Sequence, residues 1–251
     1  MKAIILTQAS IALFALVAMF LIHGKRVLVA KSLVSLFFLV YFADNLLMVL
    51  TERYSGLQAI RSHVWEGFLI CNWSGKLYSI LFALALLYLF RTRLTRDDVG
   101  LTFRQKEGSL LPSVVVVAAL GAWAYFVGIS SPKGQLDVEV LAYLAIMPGL
   151  NEELIYRGVL LGILDKVTPG NLRFLEAPVG WGIVITSLLF ALLHGFWFDS
   201  SLAIHVNGIA LRNSLISGFI FAWLRARTGS LVMPIIAHGV EDFLFFLPRM
   251  A

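Results

Sequence analysis

Eight apolar stretches, most of them close to the length that crosses a bilayer core, leave this chain few ways to fold. They run over about residues 4–22, 28–50, 69–90, 111–127, 138–165, 181–194, 205–224 and 231–247. Of the 251 residues, 59% are hydrophobic and only 14% charged. Soluble domains carry roughly a quarter charged residues, so this chain has too few to cover a water-facing surface. A soluble enzyme, a disordered chain and a disulfide scaffold are thereby excluded. Cys71 is the only cysteine, which removes an intramolecular disulfide and a thiolate cluster as well. The predicted fold is all-α, a polytopic membrane helical bundle of about eight transmembrane helices. Residues 1–251 read as a single integral-membrane domain. The sixth stretch is short, and the fifth is long enough to tilt or extend beyond the membrane.

The run Ala3–Ile22 follows Lys2 as a secretory leader would, but it is longer than a leader's apolar region and ends in His23-Gly24-Lys25-Arg26. It reads as an uncleaved first span. The formal charge of +5 marks cytoplasmic loops in such a protein, and no basic block interleaved with aromatics points to nucleic acid. Eleven cations, among them Lys25, Arg26, Arg91, Arg93, Arg225 and Arg227, fall in loops on one side, against five on the other. The positive-inside rule then sets both termini outside the cytoplasm.

A charge inside a bilayer costs at least ~2.5–3.5 kcal/mol on insertion scales, so each needs a reason. The densest group is Asn151-Glu152-Glu153-Leu154-Ile155-Tyr156-Arg157, in the middle of the fifth stretch. On a helix Glu153 and Arg157, four apart, can pair, while Glu152 points about 100° away and is left free for chemistry. Alone, such a pair reads as a buried network that sets helix register. Downstream, His194 lies four residues after Phe190, and His238 lies four before Asp242. Two histidines and two or three carboxylates on three separate spans form a hydrolytic set. Glutamate can take a proton from water, and histidine can orient that water or donate to an oxyanion.

The same side chains can hold zinc, since two histidines and a carboxylate make a common catalytic site. No His-Glu-x-x-His is present, however, and the spacings demand no metal. No cofactor is therefore predicted, and zinc stays open. No Gly-x-Ser-x-Gly elbow occurs, and Cys71 lies in the other half of the chain, which argues against a serine or cysteine nucleophile. Asp44, Asn45, Glu66 and Lys76 are polar groups in the first three spans. They can pair with one another, line a water-filled vestibule or contact substrate, and pairing is the reading preferred. His205 reads as interfacial.

The motifs Glu152-Glu153-x-x-x-Arg157, Phe190-x-x-x-His194 and His238-x-x-x-Asp242 stand in the order and type of the CPBP family. These are intramembrane endopeptidases related to the type II CAAX prenyl proteases, also called the ABI family. Thr228-Gly229-Ser230-Leu231 followed by Pro234-Ile235-Ile236-Ala237-His238 resembles that family's final motif closely. The resemblance covers about residues 138–247, taken as the catalytic helices. It implies a glutamate-dependent intramembrane protease around a conical, water-filled cavity. By motif matching, Glu152 with His194 activates water, Glu153 and Arg157 support the site or contact substrate, and His238 with Asp242 stabilises the oxyanion. The family's last motif often ends in Asn where this chain has Asp242. An ionised carboxylate there would repel an oxyanion, so Asp242 is protonated or holds His238 in its cationic form. The implied substrate is a membrane-associated, lipidated or exported protein cleaved near its C-terminus, and the implied location is the plasma membrane of a bacterium or archaeon. The alternatives are a non-catalytic binding or immunity relative of the same fold and, behind it, a transporter.

Overall fold

The computed structural model describes residues 2–65, 69–134, 137–170 and 172–250. Glu66, one of the polar groups singled out above, lies outside the described residues. The chain is mostly helical, as apolar segments without water to satisfy their backbone must be. The helices are α1 (Lys2–Val29), α2 (Lys31–Arg53), α3 (Trp73–Leu89), the short α4 (Arg96–Val99), α5 (Leu110–Ile129) and α6 (Val138–Glu152). A π-helix (Glu153–Leu160), α7 (Leu161–Val167), α8 (Trp181–Gly195), α9 (Gly208–Thr228) and α10 (Val232–Phe246) follow. Among the described residues three helices, α1, α2 and α5, are long and apolar enough to cross a membrane; α3 and α8 are apolar but shorter.

Three differences from the sequence reading have local causes. First, the all-α expectation misses three two-stranded antiparallel hairpins: β1 (His63–Trp65) with β2 (Leu69–Cys71), β3 (Leu172–Phe174) with β4 (Ala177–Val179), and β5 (Phe196–Phe198) with β6 (Ile204–Val206). Their apolar residues extend the hydropathy peaks beyond the helices they adjoin. Second, the helices of the third and seventh stretches, α3 and α9, begin later than expected because asparagines cap them. The Asn72 side chain accepts from Gly75 N, and that of Asn207 from Ala210 N, satisfying amides the first turn leaves open. Third, the fifth stretch is not one regular helix. Pro148 stands inside α6, where it lacks an N–H for the helical ladder, and the wider π turn starts five residues later.

Among the described residues the helices pack around four apolar clusters, two of them larger than the others. Phe37, Tyr41, Leu160, Leu164 and Leu189 belong to the largest, formed by α1, α2, α7, α8 and the π-helix. Val117, Leu120, Phe221, Leu224 and Met233 belong to the second, between α5, α9 and α10. A glycine contact brings α6 against α10: a Cβ on Gly149 would lie 2.7 Å from Ile235 O, and one on Gly239 2.2 Å from Ala145 O. Small residues are what let two apolar helices approach this closely. The contact sets the C-terminal end of α6 beside His238.

Candidate active site

The end of α6 and the π-helix present two successive carboxylates to different partners. Glu153 is fully buried and sits at the first π position. Arg157, also 0% exposed, donates from Nη1 to Glu153 Oε1 at 3.0 Å and from Nη2 to Gly218 O at 3.2 Å. The expected Glu153–Arg157 pair is therefore formed, on a π rather than an α turn. The same oxygen, Glu153 Oε1, lies 2.8 Å from His238 Nδ1. Because the carboxylate accepts, Nδ1 carries a hydrogen and the imidazole turns Nε2 toward Asp242 Oδ2, 3.6 Å away. That gap is longer than a hydrogen bond.

Glu152 points elsewhere, as its angular offset requires, but it is not free. Lys76 Nζ, one turn into α3, donates to Glu152 Oε1 at 2.6 Å, and the two side chains are only 12% and 15% exposed. The other oxygen, Oε2, is buried with no protein partner and faces His194 Nε2 at 3.9 Å. His194 Nδ1 lies 2.8 Å from Phe190 O. A backbone carbonyl can only accept, so Nδ1 carries the hydrogen and a neutral His194 offers a lone pair at Nε2.

Phe190 joins the groups. Its ring lies 4.4 Å from His194, 5.9 Å and edge-on to His238, and the Arg157 guanidinium sits 4.2 Å from its centre. Phe221 stacks on the other side of His238 at 4.8 Å. The two imidazoles are thus fixed by one hydrogen bond and at least one ring each. Glu152, Glu153, Arg157, His194, His238 and Asp242, six residues from three stretches of sequence, come together in one group that is fully buried at Glu153 and Arg157 and exposed at His194.

The polar residues of the first half also reach this group. Asp44 in α2 accepts from Ser79 Oγ at 2.5 Å and from Asn151 Nδ2 at 3.3 Å, and Asn151 Nδ2 lies 3.0 Å from Ser79 Oγ. Asn45 instead donates to Tyr41 O in its own helix. The expectation that these groups pair among themselves therefore misses their main partners, Asn151 and Glu152 in the second half. A count of intramembrane charges carries the signal: Lys76 needs an anion, and Glu152 is the carboxylate that Arg157 leaves over. Glu241, beside Asp242, accepts from Ser217 Oγ at 2.6 Å and was not singled out. His205 lies away from the group in the β5–β6 hairpin, stacked on Trp197 and bonded to Asp199 at 2.8 Å.

Among the described residues no group of three His, Cys, Asp or Glu side chains is placed to hold a metal ion. The Lys76 ammonium already occupies one oxygen of Glu152. What the arrangement offers is a carboxylate oxygen and an imidazole nitrogen facing each other at 3.9 Å, beyond a direct hydrogen bond.

Residues 134–244 match a family model described as type II CAAX prenyl endopeptidase Rce1-like. No curated protein and no solved structure matches the chain.

Proposed function

We propose that this chain, whose residues 134–244 match the type II CAAX prenyl endopeptidase Rce1-like model, is an intramembrane protease of the CPBP family in which Glu152 and His194 activate water. The observation that carries this reading is the unpartnered Glu152 Oε2, 3.9 Å from His194 Nε2. A water between them donates one hydrogen to each acceptor and keeps an oxygen lone pair for attack. As the water oxygen bonds to the scissile carbonyl carbon, its proton passes to Glu152. The carbonyl oxygen becomes an oxyanion that accepts from His238 Nε2–H, with the imidazolium balanced by Glu153 at Nδ1. Glu152 then returns its proton to the leaving amide nitrogen, the C–N bond breaks, and the carboxylate is restored.

Glu153 and Arg157 are positioning groups, because neither faces the gap and both are fully buried. The surrounding bundle supplies a low dielectric that strengthens each charge interaction. The substrate class we assign is a membrane-associated, lipidated or exported protein cut near its C-terminus. The eight apolar helical regions cross a bacterial or archaeal plasma membrane, in one domain, with both termini outside the cytoplasm. His194 at the end of α8 then opens the site outward.

The test compares C-terminal peptides of membrane and secreted proteins in cells expressing wild type or Glu152→Gln at matched levels. Specific uncleaved tails that accumulate only with the variant are the expected result, and they identify the substrate. Identical peptide profiles would remove the protease reading and leave a non-catalytic binding protein of this fold.

A further inference from the structure

The matched domain begins at residue 134, so α2 and α3 lie outside it. Yet the shortest polar contact to Glu152 comes from α3, through Lys76 at 2.6 Å. We infer that Lys76 is a positioning residue that engages Glu152 Oε1 alone, reserving Oε2 for the water, and that the first half of the chain thereby completes the active site. The inference rests on the catalytic role proposed for Glu152.

Several features argue for a built contact. Lys76 is 12% exposed in its side chain, and an ammonium so placed is costly unless paired. Its backbone is fixed by the Asn72 cap at the start of α3 and by the Asn72 side chain, which exchanges hydrogen bonds with Thr51 in α2. One turn on, Ser79 ties α3 to Asp44 and Asn151, and Asn151 immediately precedes Glu152. The helix that carries the lysine and the helix that carries the glutamate are tied together on one side of the ion pair by Ser79 and Asn151, and on the other by the edge-on contact of Trp73 with Tyr143 of α6 at 5.2 Å. Lysine brings a single ammonium point, whereas arginine's planar fork matches both oxygens of a carboxylate. Only the former leaves Oε2 open.

The experiment uses the full chain in detergent and a quenched fluorescent peptide copied from a tail that accumulates with Glu152→Gln. Lys76→Met removes the ammonium and frees Glu152 to rotate. We expect kcat to fall about 100-fold with KM little changed, the scale of loss for a misplaced catalytic group. Lys76→Arg separates positioning from plain ion pairing. It retains the wild-type melting temperature but clamps both oxygens, so kcat falls as it does in Lys76→Met. A double-mutant cycle of Lys76→Met and Glu152→Gln, read by melting temperature, is expected to show coupling between the two positions.

Wild-type kcat in Lys76→Met or in Lys76→Arg overturns the inference while leaving Glu152 as the base. A rise in KM alone also overturns it, since Lys76 would then contact substrate. So does an uncoupled cycle. Failure of the protease reading is distinct: wild type and Glu152→Gln would be equally inactive on every tail, and a coupled pair would then be structural only.

Discussion

Glu153 and His238, 85 residues apart, share a 2.8 Å hydrogen bond through Oε1 and Nδ1, and the same oxygen receives Arg157 at 3.0 Å. One carboxylate thus locks α10 to the π-helix and orients the imidazole that faces Asp242. Removing its charge strands a fully buried guanidinium. We predict that Glu153→Gln lowers stability by about 3–5 kcal/mol, the cost of breaking a buried pair from one side, and abolishes cleavage. Thermal unfolding in detergent checks this, and a variant melting with wild type would show that Glu153 does not hold the site together.

Gly218 gives Arg157 its room. A Cβ there would lie 3.3 Å from Arg157 Nη2 and 3.4 Å from Phe190 Cδ1. Alanine is tight but brings a gain in helix propensity of roughly 0.5–1 kcal/mol, so Gly218→Ala is expected to melt near wild type. Gly218→Leu must displace Phe190 or the guanidinium, at about 1–3 kcal/mol for overpacking. Because Phe190 touches both imidazoles, cleavage is expected to fall more steeply than stability in the leucine variant. Parallel loss of the two would weaken the link from Phe190 to the histidines.

The reach of the sequence is clearest on α6 and the π-helix. The four-residue spacing of Glu153 and Arg157 was legible as an ion pair because i,i+4 neighbours meet on any helical turn near that width. The π turn itself was not legible, since hydropathy has no signal for an i+5 ladder. The group formed by Glu152, His194 and His238 could be read from charges that an apolar span does not tolerate without cause. Their order along the chain did the rest. Lys76 was visible as such a charge, but its partner was not, because nothing in spacing says that α3 lies against α6. The hairpins were hidden for another reason: Phe196-Trp197-Phe198 is as apolar as the helix it follows.

Asp98 offers a test of acid sensitivity at a residue whose partners, Thr95 and Lys166, lie outside the Glu152–His194 group. Its carboxylate accepts from Thr95 N at 2.7 Å in the capping box of α4 and pairs with Lys166 at 2.8 Å, beyond the end of the fifth apolar stretch. Partial burial pushes its carboxyl up, but the Lys166 and Thr95 contacts outweigh that and hold it below the usual aspartate value. A lowered folded-state value means stabilisation that is fully present above the unfolded-state value and lost as pH falls through the folded-state one. We predict that Asp98→Asn costs about 1 kcal/mol at neutral pH, the scale of a lost cap. The gap between its melting temperature and that of wild type is expected to close on acidification. A gap that stays constant down to the acid limit would assign the loss to packing.

Asp242 is the one site residue whose chemistry conflicts with its place. Its Oδ2 lies 3.6 Å from His238 Nε2, the nitrogen that the oxyanion is proposed to use. An ionised carboxylate at that point competes for the donor and repels the developing negative charge, whereas a carboxamide of the same shape donates. Asp242→Asn is therefore expected to fold normally and to cleave at least as fast as wild type. Asp242→Leu offers no donor and leaves His238 without a polar neighbour at Nε2, and its kcat is expected to lie about 10²–10³ below that of Asp242→Asn, the scale for an oxyanion donor. Steady-state kinetics on both variants with the tail peptide provides the measurement. An asparagine variant as inactive as the leucine one would mean that the negative charge itself is required, most simply to keep His238 an imidazolium, and the carboxylate would then act on the imidazole alone.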